Sequence, residues 1–146
     1  MTKLPQVIIY TDGSCEPNPG VGGWAALLIF EGREIPITGA NPRTTNNRME
    51  LTAAVEAFRT LPEPHHVDFY TDSKYLKRGI SEWMPNWRAR KWRRKGGKLA
   101  NVDLWKALDA AILQHGVKWH WVKAHAGDVN NQRVDRMARE AMRRGK

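Results

Sequence analysis

A chain of 146 residues, 41% of them hydrophobic, can bury a real core as one domain but is short for two. No apolar run approaches the ~18 residues of a membrane span. The opening Met1-Thr2-Lys3-Leu4-Pro5 lacks a signal segment, and the single Cys15 rules out an intrachain disulfide or a four-cysteine zinc site. A formal charge of +9 favours a polyanionic partner, most commonly nucleic acid, and the cysteine usage suits a reducing cytoplasm.

The first predicted element is a strand over 7–11, a β-branched run that ends at Asp12 and breaks into Gly13, Pro17, Asn18, Pro19 and Gly20. A second strand over 24–30 and a third over 35–38 flank a hairpin turn at 31–34. Three strands in succession predict an antiparallel meander. The polar connection 41–45 leads to a helix that Asn46 or Asn47 can cap. Its apolar stripe is Leu51, Ala54, Val55, Phe58 and Leu61, Glu50 lies in its first turn, and Pro62 and Pro64 stop it. A fourth strand over 67–71 repeats the pattern of the first, since both end in Thr-Asp with a Ser close behind.

Ser73 can cap a short helix with Leu76, Ile80 and Trp83 in register, weakened by Gly79. A basic segment follows over 83–98, then a helix opened by Asn101, with Leu104, Leu108, Ala111 and Ile112 inward and Gly116 ending it. A fifth strand over 117–122 leads through the loop 123–130 to a last helix carrying Val134, Met137, Ala138 and Ala141 on one face, with Asp135 beside them. No repeat or linker interrupts this order. The reading is one α/β domain over 1–146.

Four acids fall at predicted strand ends or helix starts: Asp12, Glu50, Asp72 and Asp135. Any one alone reads as a cap or a turn residue. Four, each next to a buried apolar segment, are expected to converge. Clustered carboxylates repel unless cations hold them, and Mg²⁺ takes oxygen ligands from a few carboxylates plus substrate phosphate. Two such ions can drive phosphodiester hydrolysis by activating water and stabilising the leaving oxygen.

The stretches Thr11-Asp12-Gly13-Ser14, Thr44-Thr45-Asn46-Asn47-Arg48-Met49-Glu50, Thr71-Asp72-Ser73, Asn101-Val102-Asp103-Leu104-Trp105 and Trp121-Val122-Lys123-Ala124-His125-Ala126-Gly127, with Asp135, closely resemble bacterial ribonuclease HI. The resemblance runs from Val7 to about Ala141. It implies a ribonuclease H-like α/β fold, a five-stranded mixed sheet flanked by helices. It also implies endonucleolytic cleavage of RNA paired to DNA, leaving 5′-phosphate and 3′-hydroxyl ends. By the same resemblance Asp12 bridges two Mg²⁺ ions (Mn²⁺ being an alternative), and Glu50 and Asp72 complete the site that generates the nucleophilic water. Asp135 holds the ion facing the leaving group, and His125 shuttles protons or assists product release.

For the substrate, the region 86–98 carries seven Lys or Arg residues and no acid, interleaved with aromatic rings. Phosphates would relieve such a surface, and flat rings pack on sugars and bases; the bland alternative is a solvated basic helix with its tryptophans in the core. The resemblance makes 83–98 a protrusion gripping the DNA strand, here through Trp83, Trp87, Arg88, Lys91 and Trp92. It makes Arg43, Thr45 and Asn86 a DNA-phosphate pocket, and Cys15, Asn18, Asn46 and Asn47 a lining for the hybrid's minor groove. Telling RNA from DNA there requires sensing the 2′-hydroxyl. Lys74 departs from the Gln common in bacterial relatives, which would exchange a groove contact for a phosphate contact. The chain also ends just after its last helix, without the tail of some relatives and without a preceding hybrid-binding domain, so the basic segment is expected to supply affinity. A monomer with no obligate protein partner is the default. The competing readings are a non-catalytic nucleic-acid-binding module, which would gain by losing its acids, and another nuclease on the same fold.

Overall fold

The computed structural model describes residues 4–92, 100–123 and 128–145. Five strands form one mixed sheet in the order β3-β2-β1-β4-β5. Strands β1 (Gln6–Cys15), β2 (Gly20–Phe30) and β3 (Arg33–Thr44) make the antiparallel meander, and β4 (His66–Thr71) and β5 (Gly116–Trp121) extend it in parallel from β1. Helix α1 (Asn46–Arg59) crosses from β3 to β4, and α4 (Val102–Ile112) packs beside it. Helix α5 (Val129–Arg144) covers the opposite face of β1 and β2.

The period-two alternation of β1 assigns its side chains to two cores. Val7 and Ile9 join Leu51, Val55 and Phe58 of α1 and Trp105 and Leu108 of α4. Tyr10 joins Leu27, Val134 and Ala138 beneath α5. By the same alternation Asp12 shares Tyr10's face while Gly13 faces α1.

Several boundaries differ from the sequence expectation. Strand β1 continues past Asp12 to Cys15, because β2 pairs with it through Cys15↔Gly22. The acid therefore lies within a strand, three residues before its end. The presumed connection at 41–44 is strand as well, paired with the glycine-rich start of β2. Ladder hydrogen bonds need only backbone, so glycines and asparagines that lower local strand preference are overridden by a fitting partner.

The cap of α1 is Thr45, whose Oγ1 accepts a hydrogen bond from the Arg48 amide at 3.2 Å. Asn46 and Asn47 are already helical, and Glu50 lies beyond the first turn, so the helix terminus does not favour its charge. Asn101 adopts a left-handed conformation (φ 58°) and offers no side-chain cap. Its side chain instead donates to the Tyr75 hydroxyl and accepts from Arg48. Gly116 opens β5 rather than closing α4.

Ser73 caps as expected, its Oγ accepting the Leu76 amide at 3.1 Å. From there α2 (Lys74–Arg78), a π-turn at Gly79–Trp83 and α3 (Met84–Ala89) run on without a break. Gly79 is not merely a weak helix former: a Cβ there would run into the Trp105 indole. That contact lets the 74–89 segment lie against α4.

Candidate active site

Three acids from three elements meet at one end of the sheet. Oxygens of Asp12 (β1), Glu50 (α1) and Asp72, just past β4, lie within 4.8 Å of one another. Their approach depends on Gly13. A Cβ at that position would stand 2.5 Å from the Glu50 amide nitrogen and 2.6 Å from the Met49 carbonyl carbon. Only glycine lets the first turns of α1 close onto β1 and bring Glu50 to Asp12.

The electrostatics are those of a site made for positive charge. Asp12 is 5% exposed and Glu50 7%. Burial, and then the neighbouring charges of Asp72 and Asp135, push the Asp12 carboxyl up to about 8. Glu50 is raised well above the usual carboxylate range by burial and then by Asp12, Asp72 and Asp135. The Gly13 amide, donating to Asp12 Oδ1 at 2.9 Å, opposes the rise only in part. Glu50 Oε2 is buried without a hydrogen-bond partner, and no ion pair among the described residues reaches Asp12, Glu50 or Asp72. An all-oxygen donor set with an orphaned, buried carboxylate oxygen fits a hard divalent cation.

Asp135, on α5, stands at the edge of this cluster. It raises the Asp12 carboxyl, and with Asp72, Asn131 and Gln132 it lines a small cleft. Arg139, one turn on, pairs with it at 3.3 Å. Asn131 escapes the sequence reading. It is buried, its Nδ2 donates to Asp72 Oδ2 at 3.4 Å, and its Oδ1 has no partner. Its position one turn before Asp135, on the same helix face, is the available signal.

The predicted substrate residues separate into three places. Cys15, Asn18, Asn46 and Asn47 gather where the β1–β2 loop meets α1: Asn18 Oδ1 accepts the Asn46 amide at 3.1 Å, and Cys15 Sγ lies 3.5 Å from the Thr44 carbonyl oxygen. Arg43 is exposed near the end of β3, one residue before the Thr44–Thr45 turn into α1. Asn86 is exposed on α3, its side-chain amide donating to the Glu82 carbonyl at 3.1 Å.

The tryptophans are not free rings. Trp83, Trp87 and Trp92 are half-buried and packed against the core, with centroid distances of 6.0 Å for Trp83–Trp87, 5.9 Å for Trp87–Trp92 and 5.6 Å for Trp87–Trp105. Arg88, Arg90 and Lys91 are all exposed, and of the three only Arg88 forms an ion pair among the described residues, with Asp109 of α4. His125 and the cations Arg93, Arg94, Lys95 and Lys98 lie outside the described residues.

Comparison with known proteins agrees with this arrangement. The family model described as RNase H matches residues 5–143. Ribonuclease HI of Pseudomonas aeruginosa is 49% identical over 139 residues, covering 94% of each chain. Among solved structures, LC9-RNase H1, described as a type 1 RNase H with the type 2 active-site motif, superposes with a TM-score of 0.89 at 32% identity over all of this chain and 76% of its own. LC11-RNase H1, solved in complex with an RNA/DNA hybrid, shares the fold with a TM-score of 0.71 at 19% identity, over 94% of this chain and 97% of its own.

Proposed function

This chain belongs to the RNase H family, and from that premise we propose that it is a Mg²⁺-dependent endonuclease that cuts the RNA strand of RNA/DNA hybrids, leaving 5′-phosphate and 3′-hydroxyl ends. The observation that carries the reading is the convergence of Asp12, Glu50 and Asp72 within 4.8 Å, with Asp135 raising Asp12 from the side. Asp12, Glu50, Asp72 and Asp135 would hold two divalent ions, which when bound lower the pKa of a water and stabilise the departing 3′-oxygen. The Gly13 amide fixes the Asp12 carboxylate, and Asn131 fixes that of Asp72. Burial of Asp12 and Glu50 keeps bulk water from screening the site. His125 would take or deliver a proton near neutral pH.

The hybrid would lie across two features. The strip of Cys15, Asn18, Asn46 and Asn47 next to Glu50 offers the short amides and backbone groups that suit 2′-hydroxyl recognition. Arg43, Thr45 and Asn86, with the basic segment 83–98, would hold the DNA strand. There Trp83, Trp87 and Trp92 act chiefly as the packed base of the protrusion, and Lys91 meets phosphate. No helix among the described residues is long and apolar enough to cross a membrane. A cytoplasmic monomer of one catalytic domain is consistent with the reading.

The test offers end-labelled RNA/DNA, RNA/RNA and DNA/DNA duplexes with and without Mg²⁺. Cleavage of RNA in the hybrid alone, abolished by chelation and reduced at least ~10³-fold in Asp12→Asn, is the expected result; electrostatic contributions at such sites reach this size. Cleavage of DNA/DNA, or full activity in Asp12→Asn, would overturn it. For His125→Ala the expected result is a ~10²-fold lower kcat with metal binding retained by calorimetry; unchanged turnover would remove His125 from the mechanism.

A further inference from the structure

A cleft of about 520 Å³ opens beside Asp72, at the carboxyl ends of the parallel pair β4 and β5. Thr71 and Trp121 face each other in the ladder there, and the Val122 amide donates to the Thr71 carbonyl at 3.0 Å to close its floor. Lys74 and Lys77 come from α2, and Lys123 from the segment after β5. All three lysines are exposed. Trp121, stacked on Trp119 at 5.7 Å with planes 4° apart, is half-buried and supplies an apolar wall. In the sequence Lys74 draws notice by itself and Thr71, Trp121 and Lys123 only as parts of longer stretches; the cleft that gathers them with Lys77 is visible in the fold alone.

Three cations around one cleft repel each other, and an acid adjoins them. Had they served to neutralise the carboxylates, ion pairs would be expected. Among the described residues none of the three forms one. The cleft volume lies within the range of about 300–1,000 Å³ typical of small-ligand pockets, and clefts at the carboxyl ends of parallel strands are where α/β proteins hold phosphorylated ligands. Lys74 follows Asp72 by two residues, so its Cα lies within about 7 Å of the acid's. That spacing suits a phosphate gripped here being the neighbour, on the same strand, of the phosphate handled by Asp72.

We propose that the cleft walled by Lys74, Lys77, Trp121 and Lys123 is a subsite for the RNA-strand nucleotide adjoining the scissile linkage, with the lysines gripping its phosphate. The subsite rests on the hydrolase reading above. It adds a charge contact on the RNA strand, separate from the DNA-strand contacts of the basic segment.

The experiment uses a hybrid whose RNA strand has a single cleavable linkage. The phosphate on one side of it, then on the other, is replaced by an uncharged methylphosphonate on a 2′-deoxy nucleotide, with a matched 2′-deoxy phosphodiester as control. In the wild-type protein, neutralising one of the two neighbours is expected to lower kcat/KM about tenfold, the equivalent of about 1.4 kcal/mol. Lys74→Ala/Lys77→Ala is expected to cut the charged substrate about tenfold more slowly and to lose less than about twofold more on neutralisation. Lys74→Arg/Lys77→Arg should restore both the rate and the sensitivity. Losses that multiply in the alanine variant, or a variant that matches wild type on the charged hybrid, would overturn the subsite while leaving the hydrolase reading intact. A wild-type protein that cut no hybrid would remove both.

Discussion

Asp12 and Glu50 sit where ionisation is costly, and the same cost prepares the site for metal. Burial, with Asp72 and Asp135 beside it, pushes the Asp12 carboxyl up to about 8 from an ordinary 3.8. Between those values the metal-free folded protein holds a proton that the unfolded chain has released. Stability therefore falls as pH rises through that window and levels off above it. A tenfold difference in proton affinity between the folded and unfolded states is worth about 1.4 kcal/mol, and here it is shared among acids that feel one another. Asp12→Asn is accordingly expected to melt at least roughly 3–8 °C higher than wild type in chelator at pH 7.5, the gap closing toward pH 4. Added Mg²⁺ should raise the wild-type midpoint more than the variant's. Thermal melts across pH 4–8.5 check this; a gap that failed to grow with pH would show that the acids are not held protonated by burial.

At the scale of elements, two glycines set how closely helices approach their neighbours. Gly13 admits α1 to β1, and Gly79 admits the Trp105 ring to the segment 74–89. Gly13→Ala must push Met49 and Glu50 back, so it is expected to lower kcat at least tenfold, a misplacement of about 1 Å being enough. Gly79→Ala gains helix propensity but crowds a fully buried indole. The net expectation is a loss of about 1–3 kcal/mol by denaturant titration. A neutral or stabilising Gly79→Ala would mean that the Trp105 contact is loose. Thr45, rather than either asparagine after it, holds the start of α1. The Asn46 and Asn47 side chains therefore have no part in capping the helix.

For the whole molecule, an acidic pocket is embedded in a chain of net charge +9. Hybrid binding is therefore expected to weaken steeply with salt. Each lost phosphate contact reduces the slope of log K against log salt by about 0.9. The structure ranks the described cations of the basic segment. Arg88, Arg90 and Lys91 are all exposed, but Arg88 already has Asp109 as partner, whereas Arg90 and Lys91 form no ion pair among the described residues. Lys91→Ala and Arg90→Ala should each flatten the slope, and Arg88→Ala should do so less, in filter-binding titrations from 50 to 300 mM salt. Equal slopes for all three variants would deny that the Asp109 pair holds Arg88 back.

The local periodicities of the chain announce five strands, the main helices, the four acids and the basic segment, because burial patterns and breakers are written in neighbouring residues. What they do not convey is distance between segments. Asp12 reads as a strand end, although β2 carries the ladder on to Cys15; strand length depends on a partner as well as on the strand itself. The cap of α1 reads one or two residues late, at Asn46 or Asn47, because asparagine is the stronger capping residue by type and only φ and ψ identify Thr45. Asn101 reads as a cap, but tertiary contacts with Arg48 and Tyr75 claim its side chain. Trp83, Trp87 and Trp92 carry the same signature whether they stack on a ligand or on each other. Only packing shows that they turn inward. Residue types and their spacing determined the chemistry this protein can perform. The folded chain alone decided which oxygens share one small volume and which lysines stand beside them, since such proximity arises from close approach between segments far apart in sequence.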